Sequence, residues 1–223
     1  MSSLESKSSN TSKPSRYFIT FEGGDGAGKT TLIDRLFSAL EERGLPVLRT
    51  RAPGGTEVGQ KIRDLLLHSE ERPNPTSELL LFLADRADHV DKVIKPALER
   101  GEIVLCDRFN DSTLAYQGGA RGFPIDKLEE LCTFATGGLE PTLTLYLDLD
   151  PAIGLKRCRA KEEKADQIEG EDLAFHQRIR EAFHQIGKKN PARFKMLNAE
   201  ETPEEVFEKA LHLIDVHCFA THT

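Results

Sequence analysis

The stretch FEGGDGAGKTTL, residues 21–32, restricts the fold of this chain more than any other segment. It contains the pattern G-x-x-x-x-G-K-T, which ends at Lys29 and Thr30. A short apolar run over residues 17–21 precedes the glycines and an amphipathic run follows them, so the loop joins a predicted strand to a predicted helix. The pattern is informative only in this context, because other glycine-rich turns also match it.

The glycines of this loop allow the backbone to approach a ligand closely, with dihedral angles that residues with a Cβ resist. Consecutive N–H groups can then surround a phosphate at the positive end of the following helix. Lys29 would reach the β and γ phosphates of a nucleotide, and the Thr30 hydroxyl would ligate Mg²⁺. The alternative is a chance glycine-rich hairpin. The predicted nucleotide-binding residues are Gly23, Gly24, Asp25, Gly26, Ala27, Gly28, Lys29, Thr30 and Thr31.

Short apolar runs alternate with helical patterns along the chain. The predicted strands are residues 17–23, 46–53, 102–109, 143–150 and 194–199. The last helical pattern, residues 202–217, begins with the capping residue Thr202 and has Pro203 in its first turn. Strands separated by helices form a parallel sheet that is covered on both faces. We therefore predict an α/β fold of the P-loop NTPase class, a five-stranded parallel sheet with helices on both faces.

The composition predicts one domain and a short tail. With 223 residues, of which 38% are hydrophobic, the chain can bury a sizeable core, and we expect one domain over residues 16–223. Residues 1–15 are serine-rich and nearly lack large apolar groups that would offset the entropy of ordering, so we expect a disordered tail. A transit peptide is the alternative, but Glu5 and the absence of arginine before Arg16 argue against it.

The charge and the cysteines restrict partners and location. A net charge of −7 gives no global basic surface, so we expect neither a nucleic-acid partner nor a membrane partner. The four cysteines lie far apart without zinc-site spacing, which favours reduced thiols. No apolar run approaches the roughly 20 residues of a membrane span, and the N-terminus lacks the apolar core of a signal peptide. A cytoplasmic protein is expected.

The third predicted strand ends in the sequence VLCDRF, at the sheet edge where ligands of open α/β folds bind. Asp107 would add a carboxylate to the magnesium site, and Arg108 would hold an acceptor phosphate through a bidentate contact. The alternative is an exposed Asp107–Arg108 pair at a strand end.

Several segments resemble the successive motifs of the thymidylate kinase family. In order, they are FEGGDGAGKTTL, RAPGGTEVGQKIRDLLL, LLLFLADRADHV, IKPALERGEIVLCDRFNDSTLAYQGGARG and DQIEGEDLAFHQRIREAF. The stretch DRF…STLAYQG is the most specific, because phosphate loops are widespread. The resemblance implies a single P-loop nucleoside monophosphate kinase domain that transfers the γ-phosphoryl group of ATP to dTMP, giving dTDP and ADP for dTTP biosynthesis. Since the acceptor phosphate oxygen is already ionised at neutral pH, alignment of the reacting groups and neutralisation of their charge should suffice for catalysis.

The resemblance also implies an acceptor site. Phe82 matches the residue that stacks on thymine, and Arg86, four residues later on the same helical face, matches one that contacts the acceptor nucleotide. Core packing is the alternative for Phe82, because LLLFL is apolar all round. Arg108 matches the arginine that holds the dTMP phosphate, and Arg51 would add a second positive contact.

Four further positions match acceptor-site residues of the family. Thr113 and Gln117 would read the base edge or the sugar, and Tyr116 would crowd a ribose 2′-hydroxyl. Asp25 would face the acceptor sugar or the metal. For Thr113 and Tyr116, capping and packing of the following helix is the alternative.

The charged segment RCRAKEEKADQIEG, about residues 157–170, is the predicted lid over the transferring phosphoryl group. Arg157 and Arg159 are the predicted catalytic cations, with Lys161 and Lys164 nearby. A solvated charged face is the alternative. Some family members carry an arginine inside the phosphate loop, whereas Gly26 and the basic lid resemble the bacterial type.

Two positions depart from the family pattern. Ala52 stands where the family usually has glutamate, and Gln167 stands where the lid usually has arginine. The resemblance further implies a cis peptide bond before Pro53 and a homodimer. Two other classes remain open, namely a P-loop kinase for a different small acceptor and a regulatory nucleotide switch. A GTPase switch should carry an Asn-Lys-x-Asp guanine reader, which this sequence lacks.

Overall fold

The structure, a computed structural model, describes residues 17–160 and 170–219 and contains a parallel five-stranded sheet. The strands are β1 (Phe18–Gly23), β2 (Val47–Arg51), β3 (Ile103–Asp107), β4 (Leu143–Asp148) and β5 (Phe194–Asn198). Their order across the sheet is β2-β3-β1-β4-β5, and every neighbouring pair is parallel. The predicted strands and the predicted sheet are confirmed, and each observed strand is one to three residues shorter than predicted. The expected tail, residues 1–15, lies outside the described residues.

Helices connect the strands and follow the last of them. They are α1 (Lys29–Glu42), α2 (Glu57–Leu67), α3 (Pro75–His89), α4 (Lys95–Glu99), α5 (Asn110–Thr113), α6 (Ile125–Thr136), α7 (Pro151–Arg159), α8 (Leu173–Lys189) and α9 (Pro203–Ile214). π-Helical stretches continue α3, α5 and α9 over Val90–Ile94, Leu114–Ala120 and Asp215–Phe219. The predicted cap of α9 is confirmed, because the Thr202 hydroxyl accepts from the N–H of Glu205 in a capping box.

Alternate residues of β3 show how both faces of the sheet are covered. Ile103 and Leu105 pack with α1 and α9 on one face. Val104 and Cys106 point to the opposite face and pack with the helical segment that contains Ile94. All four side chains are almost fully buried, as expected for the central part of a parallel sheet.

The order of the strands positions three segments side by side. β2, β3 and β1 are neighbours, and their carboxyl ends lead to the cis peptide bond Ala52–Pro53, to Arg108 and to the phosphate loop, respectively. The cis bond before Pro53 is confirmed. Ligands of open α/β sheets bind at this edge. Within residues 17–160 and 170–219, no helix is both long and apolar enough to cross a membrane.

Candidate active site

The phosphate loop between β1 and α1 has the backbone that its glycines permit. Gly26 and Gly28 have φ angles of 71° and 94°, in the left-handed region. A Cβ on Gly26 would lie 2.2 Å from the carbonyl oxygen of Gly154 in α7, so the loop and this helix meet backbone to backbone. Gly28 stands directly before α1, whose first N–H groups have no partner within the helix. The loop therefore presents backbone donors to an anion.

Lys29 lies at the start of α1, and its ammonium group points into the loop. Nζ donates hydrogen bonds to the carbonyl oxygens of Gly23 at 3.1 Å and of Gly24 at 2.9 Å. The residue is 8% exposed. Burial and the nearby Arg108 cation lower the pKa of Lys29. A cation removed from water in this way gains from contact with phosphate oxygens.

Arg108 follows β3 and points its guanidinium group at the phosphate loop. Nη2 donates to Asp25 Oδ1 at 2.7 Å, and Nη1 donates to Ser112 Oγ at 3.3 Å. The guanidinium carbon lies 5.0 Å from the centre of the Tyr116 ring. Among the described residues, Arg108 is the one non-glycine residue with a positive φ, 68°. The alternative interpretation, an exposed ion pair between Asp107 and Arg108, is therefore wrong, because Arg108 pairs with Asp25 instead.

These groups line one cleft of about 650 Å³ at the carboxyl end of the sheet. The predicted site residues that line it are Asp25, Gly26, Ala27, Gly28, Lys29, Thr30, Thr31, Arg51, Phe82, Arg86, Asp107, Arg108, Thr113, Tyr116, Gln117 and Arg157. The predicted residues that are not part of its lining, in the described structure, are Gly23, Gly24 and Arg159. Segments far apart in the sequence thus meet at one site.

Sequence reasoning gave no role to several other residues of the lining. They are Pro53, Arg63, Leu67, Ser112 and Cys158, and the departing residue Ala52 lies beside them. Ser112 belongs to the DRF…STLAYQG stretch, so its place in the most specific motif was the available signal. Arg63 donates from Nη1 to the carbonyl oxygen of Pro53 at 3.1 Å and so supports the segment after β2.

Phe82 and Arg86 lie one helical turn apart on α3. The half-buried Phe82 ring packs against apolar side chains of α2 and also lines the cleft. Phe82 therefore belongs both to the apolar core and to the site. Arg86 is 2% exposed, and its Nη1 donates to Asn110 Oδ1 at 3.1 Å. Its guanidinium carbon lies 4.8 Å from the centre of the Phe109 ring. Arg86 is therefore held rigidly against the segment after β3.

Thr113, Tyr116 and Gln117 are buried at the junction of α5 and the π-helical stretch. Gln117 Nε2 donates to Glu78 Oε1 at 3.1 Å. The Tyr116 hydroxyl is buried beside the Arg108 guanidinium, and burial raises its pKa. The Tyr116 ring also packs edge-on against Phe183 of α8. Tyr116 therefore contributes to helix packing as well as to the lining of the cleft.

The remaining predicted cations lie at the exposed margins. Arg51 ends β2, and its Nη2 donates to Gln60 Oε1 at 3.3 Å. Arg157 of α7 donates from Nη1 to the carbonyl oxygen of Gly26 at 3.4 Å, which fixes it beside the phosphate loop. Arg159 is the exposed last residue of α7.

The predicted lid, about residues 157–170, falls largely outside the described residues. Lys161, Lys164 and Gln167 belong to the stretch 161–169, for which the structure gives no description. Their predicted roles stay predictions.

Oxygen atoms suited to Mg²⁺ lie beside the phosphate loop. Asp25 Oδ2 and Asp107 Oδ1 are buried without a hydrogen-bond partner in the described part of the chain, and Thr30 lines the cleft. The described residues contain no cluster of three or more His, Cys, Asp or Glu side chains that could hold a metal ion. Mg²⁺ in kinases is usually held by one or two protein ligands together with substrate phosphates. The oxygen donors present fit such a site.

Comparison with known proteins relates this arrangement to one family. The family model described as thymidylate kinase matches residues 21–210. A thymidylate kinase from Protochlamydia amoebophila is 45% identical over 207 residues, covering 89% of this chain and 92% of that protein. One from Synechococcus sp. (strain JA-3-3Ab) is 48% identical over 189 residues, covering 85% and 90%.

A solved structure agrees with these relatives. The crystal structure of thymidylate kinase from Ehrlichia chaffeensis matches with a TM-score of 0.75 and 33% identity, covering 91% of this chain and all of that one. The matched residues include the phosphate loop and the segment after β3, which form the cleft described above. On its sequence and its fold, this chain belongs to the thymidylate kinase family.

Proposed function

We propose that the protein transfers the γ-phosphoryl group of ATP to dTMP, giving dTDP and ADP in dTTP biosynthesis. The observation that carries the proposal is that two phosphate-binding elements face one cleft. The loop with Lys29 and the Arg108 guanidinium both line this cleft, and Asp25 of the loop pairs with Arg108. Two phosphates held in this way can be aligned for direct transfer. Membership of the thymidylate kinase family supports the choice of ATP and dTMP.

The donor side of the cleft binds the triphosphate. N–H groups of the loop and the Lys29 ammonium hold the β and γ phosphates, and Arg157 adds a cation next to Gly26. Thr30 and Asp107 would hold Mg²⁺, which when bound neutralises charge on the transferring group. Arg159 remains a predicted catalytic cation on the strength of the resemblance.

The acceptor side binds the monophosphate. Arg108 holds its phosphate, with Arg51 at the exposed margin. Phe82 stacks on the base, and Arg86, on the next turn of α3, contacts the acceptor nucleotide. Thr113, Tyr116 and Gln117 surround the sugar and the base edge. No strong general base is required, because a phosphate oxygen is already ionised at neutral pH. A single methyl group gives only about 1–3 kcal/mol of discrimination, so some turnover of dUMP is expected.

The first experiment measures ADP release from ATP and Mg²⁺ by the purified protein. dTMP, dUMP, dCMP, AMP, GMP and shikimate are offered in parallel, and each product is identified by mass. Strong preference for dTMP supports the proposal. Preference for another acceptor would keep the donor side and overturn the acceptor assignments, and nucleotide binding without any turnover would favour the regulatory switch. Lys29→Ala serves as the inactive control.

We propose further that the protein is a cytoplasmic homodimer, as the family resemblance and the cysteine pattern imply. Cys106, Cys132 and Cys218 are free and buried thiols. Large apolar side chains on the paired helices α2 and α3, among them Leu65 at 52% and Leu80 at 55% exposure, offer surface for a second copy. Light scattering after size exclusion should give twice the chain mass. A monomer at micromolar concentration would contradict the assembly.

A further inference from the structure

Glu22 is a fully buried carboxyl group in β1, directly before the phosphate loop. Its side chain is 0% exposed, and both of its oxygens make hydrogen bonds. The backbone N–H of Phe109 donates to Oε1 at 2.7 Å, and the Ser112 hydroxyl donates to Oε2 at 2.5 Å. Both donors belong to the segment that carries Arg108. The carboxyl group therefore joins the strand under the donor site to the segment of the acceptor site.

The direction of these hydrogen bonds follows from the chemistry of the groups. A guanidinium can only donate, so the Ser112 oxygen accepts from Arg108 Nη1 at 3.3 Å. In the ionised form, Glu22 can only accept, so it takes the N–H of Phe109 at one oxygen and the hydroxyl proton of Ser112 at the other. A chain of contacts thus leads from Glu22 through Ser112 to Arg108 and on to Asp25.

The same carboxyl group supports the unusual backbone at Arg108. Its φ of 68° lies in a region that residues with a Cβ rarely occupy. The N–H of Arg108 donates to the carbonyl oxygen of Phe21 at 2.9 Å, and the next N–H, of Phe109, goes to Glu22. Two successive residues of β1 therefore hold two successive residues of the acceptor segment. Without Glu22, the buried N–H of Phe109 would lose its partner and the turn its support.

Burial and a neighbouring negative charge disfavour a carboxylate at position 22, so packing alone does not account for a glutamate there. Burial and then the nearby Asp111 raise the pKa of Glu22 to about 7. Asp111 is itself 2% exposed and bound by Arg193 at 2.7 Å. An apolar side chain would avoid the desolvation of a carboxyl group here. What it would not supply is two hydrogen-bond acceptors.

We propose that Glu22 is a positioning residue that fixes Arg108 for the acceptor phosphate, through the N–H of Phe109 and the hydroxyl of Ser112. The inference rests on the proposed role of Arg108 in holding that phosphate. It assigns to Glu22 no contact with substrate.

Glu22→Gln and Glu22→Asp test the inference in steady-state kinetics with each substrate varied. Glutamine has the same shape but one acceptor oxygen, so with that oxygen on the N–H of Phe109 its amide NH2 faces Ser112 and the Ser112 hydroxyl loses its acceptor. We expect the KM for dTMP to rise about tenfold, as for loss of a hydrogen bond to a charged group, and the KM for ATP to change less than about twofold. Aspartate keeps the charge but is shorter and should fail like glutamine. Full activity of Glu22→Asp would mean that charge alone matters and would overturn the inference.

A double-mutant comparison separates positioning from any independent effect. If Glu22 acts through Arg108, adding Glu22→Gln to Arg108→Ala should change the KM for dTMP by less than about twofold further. A full additional tenfold rise would overturn the inference. Leu40→Ala, a buried residue of α1 remote from the cleft, is the control for destabilisation and should leave both KM values unchanged.

The outcomes also separate this inference from the proposed function. If Arg108→Ala raises the KM for dTMP and Glu22→Gln does not, the inference fails and the proposed function stands. If Arg108→Ala itself leaves dTMP use unchanged, the proposed role of Arg108 is wrong and the inference falls with it. Should Glu22→Gln unfold, Ser112→Ala removes one of the two links and should still raise the KM for dTMP without changing that for ATP.

Discussion

Replacing Gly26 by alanine tests the close contact between the phosphate loop and α7. A Cβ at this position would lie 2.2, 2.8 and 2.9 Å from the carbonyl oxygen, the carbonyl carbon and the Cα of Gly154. Those atoms are backbone and cannot rotate away. The substitution also forces alanine into a φ of 71°. The loop or the helix must therefore move, and Arg157, which reaches the carbonyl oxygen of Gly26 from α7, must move with it.

Gly28→Ala provides a matched control, because it separates backbone strain from steric overlap. Gly28 has a φ of 94°, but a Cβ on it would meet no atom within 4 Å. Left-handed alanine costs about 1–2 kcal/mol in either variant. The overlap at Gly26 adds a backbone shift of about 1–3 kcal/mol. For a chain of this size, about 2–4 °C of Tm corresponds to each kcal/mol, so Gly26→Ala should melt about 2–12 °C below Gly28→Ala.

Thermal unfolding followed by circular dichroism measures this difference on three proteins, the wild type and the two variants. Equal losses of Tm for the two alanine variants would refute the reasoning, because they would show that the contact with Gly154 has no energetic weight. A lower Tm for Gly28→Ala would refute it more strongly. The contact leaves no room for a side chain at position 26 in this chain.

Three other substitutions test the site and its surroundings. Arg108→Ala should raise the KM for dTMP by about a hundredfold, as for two lost charge-assisted hydrogen bonds, while ATP affinity measured by calorimetry stays within about threefold; equal losses would contradict its role. Lys29→Ala should abolish ADP release without lowering Tm, and residual turnover above about 1% would count against the loop assignment. Burial and the nearby Arg86 lower the pKa of His89 to about 4 from 6.5, so its stabilisation is complete above pH 6.5 and is lost as the pH falls toward 4. Because Glu22 and the other titrating groups change the stability of both proteins alike, urea unfolding should show that the wild type loses about 3 kcal/mol more than His89→Gln over that range.

Local patterns explain why much of the fold could be predicted from the sequence. Strand β3 reads as a buried apolar run, and α9 begins with a cap and a proline, signals that depend on neighbouring residues alone. The phosphate loop is also local, since its glycines, Lys29 and Thr30 lie within eight residues. Each of these features was correctly predicted within a few residues.

The remaining features depend on contacts between distant parts of the chain. The contact of Gly26 with Gly154 joins the loop to α7, and the ion pair of Arg108 with Asp25 spans 83 residues. Neither leaves a periodic signal. In the π-helical stretch at Leu114–Ala120, the backbone hydrogen bonds reach one residue further along the chain than in an α-helix, a difference that the side-chain pattern did not indicate. For Phe82, the sequence left core packing and ligand contact open. The half-buried ring packs against the apolar core and also lines the cleft.

The groups around Ala52 bear on how this chain functions without the glutamate that the family usually has at this position. The resemblance implies a carboxylate at this position, yet the Ala52 side chain is buried in the cleft wall and its N–H donates to the carbonyl oxygen of Asp107 at 2.9 Å. Arg108 does not depend on that missing group, because Asp25 pairs with it directly and Glu22 reaches it through Ser112. Asp25 gives one oxygen to Arg108 and keeps Oδ2 without a partner among the described residues. Asp25 lines the same cleft as Ala52, so this cleft contains a carboxylate without a glutamate at position 52.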